Sequence, residues 1–493
     1  MTTPIPRKRL RNSFAINVAG AVIPLVVALV TVPMYVAHIG EARYGVMSIV
    51  WVLLGYFGFL DLGLSRAASN SLAKISPSEH AERSSVLVTS IVLNLCMAVI
   101  GTVILIFASG YLLQSVLSVP DNIKPEIASA IPWIACLLPL ALVQGVGIGA
   151  IESRENFLTA NILQVFGTTF GQVVPVLFAV FVSPSLSVVI PAAALSRGFS
   201  VLLVLFVVYH TEKPLRLRDF DRQKARNLLG YGGWITVSSV VTPFLNTLDQ
   251  VVIGRVLGVS SVTYYSVPMN LVMRSQLITN ALARTLFPRL SSSSRADATL
   301  VAERSMIVSA ILYAGFCSTG IIFLRPFLTL WINPGFSDMA GGLGVILLVG
   351  AWVNALTFAP YALLQGQGRP DLTAKLHLAQ ALPYFALLYV LTHQFGLLGA
   401  AAAFAIRSVF DFVILVLISP MQRSCLAKLL PTFALLLASC AAEYLLRDNL
   451  AMMFVYGVFI WLAVTALTKF QEGALFDQIM ELGMAALRRR TRS

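Results

Sequence analysis

Fourteen apolar stretches, each about as long as a helix needs to cross a hydrocarbon core of about 30 Å, constrain what this chain can fold into. They fall near 13–37, 44–66, 85–110, 127–150, 157–182, 187–209, 228–254, 261–287, 305–330, 340–364, 373–393, 397–419, 426–446 and 451–469. Charged residues make up 12% of the chain, against about 25% in an ordinary soluble domain. With so little polar surface available, 493 residues cannot close around one water-covered core. The prediction is an all-α polytopic membrane protein of about 14 transmembrane helices. The first stretch exceeds the apolar region of a cleaved leader, about 7–15 residues, and reads as a retained anchor.

The loops alternate in charge. One side collects 26 of the 35 cations, among them Arg7, Lys8, Arg9 and Arg11, six between Lys213 and Arg226, and Arg488, Arg489 and Arg490. The other side holds only Arg43, Lys124, Arg255, Arg325 and Arg447. Cationic loops stay in the cytoplasm, so both termini and the basic joint at 210–227 are expected there. Scattered among loops, these cations do not make the continuous basic face that binds nucleic acid. Every outward loop is short, the longest being 111–126. That leaves no room for the outward catalytic segments a membrane glycosyltransferase or polymerase would need.

Weak self-similarity runs across the joint. Gly40 is matched by Gly258, Pro24 by Pro243, Leu158-Thr159-Ala160 by Leu372-Thr373-Ala374, and Arg197 by Arg407, at offsets of 210 to 219. Nearly constant offsets at matched places in the apolar segments indicate an internal duplication. The expected organisation is a basic N-terminus (1–12), a six-helix lobe (13–209), the joint (210–227) and a second six-helix lobe (228–419). Two extra helices (426–469) and a basic tail (470–493) follow, and the tail's apolar spacing suits either an interfacial helix or a solvated segment.

No nucleotide-binding Gly-Lys-Ser/Thr loop, His-Glu-x-x-His pair, Gly-x-Ser-x-Gly elbow or Cys-x-x-Cys occurs. Gly145-Val-Gly147-Ile-Gly149 opens no strand–helix unit and reads as close helix packing. The five cysteines have no paired spacing and read as packing residues. No enzyme activity, cofactor or metal is expected.

The informative residues are charges at membrane depth, where an arginine costs about 2.5–3.5 kcal/mol on insertion scales and so turns toward protein or water. Arg197, Arg274 and Arg407 fall near the midpoints of their spans and are the candidates for lining a cationic cavity. Asp61, Asp249 and Asp411 lie nearer the span ends and are candidates for ion coupling. Each has a plainer alternative. Asp411 lies one turn from Arg407 and would neutralise it; Arg274 could reach Asp249; Asp61 could mark a helix end.

The run Ile39-Gly40-Glu-Ala-Arg-Tyr44-Gly45, then Asp61-Leu-Gly-Leu64, resembles the polysaccharide transporter family. So do Leu248-Asp249-Gln250 through Gly254, Leu257-Gly258 and Leu286-Phe-Pro288-Arg-Leu290. These are the Wzx-like flippases within the multidrug/oligosaccharidyl-lipid/polysaccharide exporter superfamily. The resemblance covers about 13–420. It implies two six-helix lobes around a cavity and a cargo of sugars on undecaprenyl pyrophosphate, moved from the cytoplasmic to the outer leaflet. Its implied partners are that lipid-linked oligosaccharide, membrane lipids, and a polysaccharide polymerase with its export machinery. The long arginine-rich segment that lipid II flippases share at their first two spans is absent. Arginine suits a pyrophosphate cargo, since its forked donors match phosphate and it stays charged. The alternative is a cation-coupled multidrug exporter, whose organic cations would be better served by an acidic, aromatic cavity.

Overall fold

The computed structural model describes residues 7–61, 63–76, 78–112, 116–212, 217–226, 228, 248–275, 294–447, 449–473 and 477. Ten helical stretches in it are long and apolar enough to cross a membrane, and no strand occurs among the described residues. The protein is a polytopic all-α membrane protein. Two of the ten stretches each contain two expected spans. Helix α1 (Arg7–Phe57) breaks at Gly40, whose φ of 79° lies in the left-handed region that glycine adopts without steric cost. The long helix Pro370–Ile418 breaks at Gly396 in the same way. The seventh and eighth expected spans are described only at 228, 248–254 and 261–275. Pro243 and most of the basic tail lie outside the described residues.

The second span differs from expectation. Instead of running to residue 66, α1 stops at Phe57 and a 3-10 turn covers Gly58–Asp61. Gly63 then reverses the backbone at φ 67°, and α2 (Leu64–Lys74) forms where a loop was expected. Asp61 stabilises this restart: its Oδ1 accepts from the Ser65 backbone N–H (3.2 Å) and the Ser65 hydroxyl (2.6 Å). These bonds satisfy donors that a helix N-terminus leaves open. Leu64, Ala67, Ala68 and Leu72 then recur at helical spacing and are buried.

The remaining helices follow in order: α3 (His80–Tyr111), α4 (Lys124–Glu152), α5 (Phe157–Phe181), α6 (Leu186–Thr211), α7 (Val259–Arg274) and α8 (Arg295–Trp331). After them come α9 (Pro334–Gly366), α10 (Pro370–Ile418), α11 (Leu430–Leu445) and α12 (Leu450–Gln471). Gly258, just before α7, has φ 90°, so the glycine pair that marked the internal repeat shares a left-handed break.

The chain divides into two compact units, Met1–Thr263 and Tyr264–Ser493. In the first, α4 packs against α2, α3 and α6, while α5 joins α6 to α1. The glycines of α4 permit this. A Cβ at Gly145 would lie 2.7 Å from the Ser65 hydroxyl of α2, and one at Gly147 would lie 2.5 Å from Val204 of α6. Close backbone approach of this kind drives helix association in lipid, where burying apolar surface gains little. In the second unit α8 packs against α9, α11 and α12, and α9 packs against α10. Arg325, counted with the outward-side cations, lies near the end of α8 and donates to Glu443 of α11 at 2.6 Å. Large apolar side chains such as Phe107, Phe181, Leu202, Leu330, Leu382 and Phe454 point outward, which suits a lipid solvent and not water.

Candidate functional site

A cavity of about 770 Å³ opens inside the first unit. Four helices line it, and each contributes polar side chains to a wall that is otherwise apolar. Helix α2 gives Ser65, Ser69 and Asn70; α4 gives Gln144, Gly145, Gly149 and Glu152; α5 gives Gln164 and Thr168; α6 gives Arg197. Asp61 is not itself in the wall, but the Ser65 hydroxyl that it holds belongs to it. Neither Arg197 nor Glu152 has an ion-pair partner among the described residues. The Gln144 Oε1 is buried there without a hydrogen-bond partner. An unpartnered buried amide oxygen costs free energy, and a guanidinium without an ion pair is costly away from bulk water unless a ligand or water meets it.

The two charges lie at opposite ends of the space. Gly147 lies against Val204 and Gly198 against Leu140, so α4 and α6 run in the same direction. Arg197 is therefore level with about Leu140, and Glu152 lies about 20 Å further along at 1.5 Å per residue. Phe157, at the start of α5, lines the Glu152 end.

The other expected residues fall elsewhere. Arg274 is the last residue of α7 and its side chain is exposed; the rest of its expected span, 276–287, lies outside the described residues. Arg407 is buried in α10, its guanidinium carbon 4.7 Å from the centre of the Tyr384 ring, a cation–π contact. Asp411, one turn on, is buried with its Oδ1 lacking a hydrogen-bond partner among the described residues. Asp249 is buried and its Oδ1 accepts from the Gln250 N–H at 3.0 Å. Of the three arginines, Arg197 belongs to the first unit and the other two to the second.

A second constellation was not legible as a site. Glu212, just past α6, accepts from Arg83 at 2.6 and 3.0 Å and from Arg154 at 2.6 and 2.8 Å. Arg83 and Glu212 are each only 1% exposed. Arg83 also donates to the carbonyls of Leu72 and Ile75 and to the Ser153 hydroxyl, which lines the cavity. Burial pushes the Glu212 carboxyl up, but the hydrogen bonds and charges of Arg154 and Arg83 outweigh it and hold it below the usual range. Further along the joint, Ser84 donates to Asp219 at 2.5 Å and Thr89 Oγ1 accepts from the Asp221 N–H at 3.0 Å. Among the joint's described residues, Glu212, Asp219, Asp221 and Lys224 each bond to α3. The available signal was a lone glutamate opening a basic run directly after an apolar span.

A profile described as "Polysaccharide biosynthesis protein" matches residues 10–294. The chain belongs to the polysaccharide biosynthesis protein family. The match takes in the whole cavity and the clamp that Arg83 and Arg154 make on Glu212. Among this family member's relatives is a Shigella flexneri protein provisionally named an O-antigen transporter. It is 27% identical over 81% of this chain and 95% of its own length. The Bacillus subtilis membrane protein EpsK is 20% identical over 71% of this chain and 70% of its own. In fold, the family member is similar to the lipid II flippase MurJ in an inward closed conformation (TM-score 0.72, 11% identity, 94% of this chain and 99% of that one). It is also similar to an inward-facing multidrug resistance transporter of the MATE family (TM-score 0.71, 14% identity, 84% and 99%).

Proposed function

We propose that the protein is a flippase carrying an undecaprenyl-pyrophosphate-linked oligosaccharide from the cytoplasmic to the outer leaflet of a bacterial inner membrane. It works by alternating access and supplies a polymerase that builds a surface polysaccharide. The observation that supports this best is Arg197, a cation without an ion-pair partner among the described residues, at mid-helix in a cavity of amides and hydroxyls. A guanidinium so placed offers forked donors to a phosphate. An organic cation would be repelled by it, which disfavours a drug exporter. The family match and the O-antigen transporter relative support a role in polysaccharide transport.

Arg274 is the second cation assigned to the cargo. Arg407 is assigned the smallest share, because Tyr384 and Asp411 already occupy its surroundings. Both termini and the joint are assigned to the cytoplasm. The test is complementation of a deletion strain. Losing one charge-assisted contact weakens binding by about 1.5–3 kcal/mol, so Arg197→Ala should fail to restore surface polysaccharide and should let lipid-linked oligosaccharide accumulate on the inner leaflet. Arg197→Lys keeps the charge without the fork and should restore part. Full restoration by normally expressed Arg197→Ala would refute the reading.

A further inference from the structure

The cavity is graded, and its two ends suit different parts of one cargo. At mid-helix, Arg197 stands with the Gln144 and Gln164 amides, a donor-rich set that fits phosphate oxygens. Toward the clamp, the donors give way to a carboxylate, an exposed amide and an aromatic ring: Glu152, Asn70 and Phe157. A carboxylate takes hydroxyl or amide N–H donors in strong charge-assisted bonds, and an aromatic face covers the apolar C–H side of a sugar ring. Some 20 Å at 1.5 Å per residue separates the two ends, longer than a pyrophosphate alone.

We infer that Glu152 is a specificity-determining residue that selects sugars without a carboxylate, neutral or N-acetylated, in the part of the glycan beyond the pyrophosphate. This rests on the proposed function, since Arg197 fixes which end of the cargo lies where. Glu152 has no cation to neutralise it among the described residues. A hexuronate brought beside it meets an uncompensated like charge, which weakens binding by about tenfold or more at contact distance. A neutral sugar at the same place gives the carboxylate hydroxyl donors in place of water. The clamp serves this end of the cavity, because the Ser153 hydroxyl beside Glu152 is held by Arg83.

The test uses the intact, detergent-purified protein and competition binding read by native mass spectrometry. Three carriers are compared: undecaprenyl pyrophosphate bearing a neutral N-acetylated disaccharide, the same carrier with a hexuronate in second position, and the carrier without sugar. Thermal unfolding confirms that each variant is folded. The wild type should prefer the neutral over the acidic disaccharide by about tenfold. Glu152→Gln, which keeps the shape, should weaken the neutral one severalfold, strengthen the acidic one and erase the preference. Phe157→Ala should weaken both and keep their ratio. A wild type without preference, or a preference that survives Glu152→Gln, overturns the inference. Arg197→Ala should lose all three carriers in either case. If it binds them as the wild type does, or the wild type binds none, the proposed function itself falls.

Discussion

Glu212→Gln should be among the most destabilising isosteric changes in the first unit. The carboxylate receives four charge-assisted bonds from two arginines and is 1% exposed. Glutamine keeps the shape but removes the charge. Arg154, 22% exposed, can turn to solvent. Arg83, 1% exposed, cannot, and retains only the Leu72 and Ile75 carbonyls and the Ser153 hydroxyl. Removing one partner of a buried ion pair costs about 3–5 kcal/mol. Because Arg83 keeps three acceptors, the lower end of that range is expected. Arg154→Gln should cost less, about 1.5–3 kcal/mol, as the loss of hydrogen bonds to a charged group. The double variant Arg83→Met with Glu212→Leu should lose far less than the two single changes added, since an apolar pair can replace a buried ion pair.

Thermal unfolding of purified protein measures all of these, and a pH series gives a second readout. The folded Glu212 carboxyl titrates below its ordinary range. Its contribution is therefore complete above the unfolded value, about 4.3, and is lost as pH falls through the folded value. The wild type should lose this increment only in acid, and Glu212→Gln should lack it at every pH. Unchanged unfolding of Glu212→Gln, together with additive losses in the double variant, would refute the clamp.

In a cysteine-free background, Arg218→Cys and Pro334→Cys should label from opposite sides with an impermeant thiol reagent; labelling of position 218 from outside intact cells would reverse the proposed orientation. Asp249→Asn should abolish pH-dependent transport while the protein stays folded, because a buried carboxyl can exchange protons; an unaltered pH profile removes Asp249 from energy coupling. Gly45→Ala should sharply lower the yield of folded protein, since its Cβ would overlap the Val259 carbonyl oxygen. Gly171→Ala, with nothing within 4 Å of its Cβ, serves as the tolerated control, and equal yields would contradict the close approach at Gly45.

Hydropathy, loop charge and the spaced glycines were legible in the sequence because they are properties of segments. A span of about 20 apolar residues has one low-energy solution in lipid, whatever its neighbours do, since every backbone polar group must be satisfied within it. The matched places of Gly40 and Gly258 were readable, but the left-handed backbone that both adopt came only with the structure. Arg197 was legible as a charge too costly to face lipid. Tertiary structure alone decided what these charges meet. Arg83, Arg154 and Glu212 lie 58 to 129 positions apart, and in the sequence each reads as one more loop charge. Only the convergence of α2, α3, α4 and α6 makes them a buried cluster. Arg197 and Glu152, 45 positions apart, share a cavity for the same reason. Burial and pairing depend on which helices pack together, and that is settled by side-chain fit across the bundle and not by the local composition of any one helix.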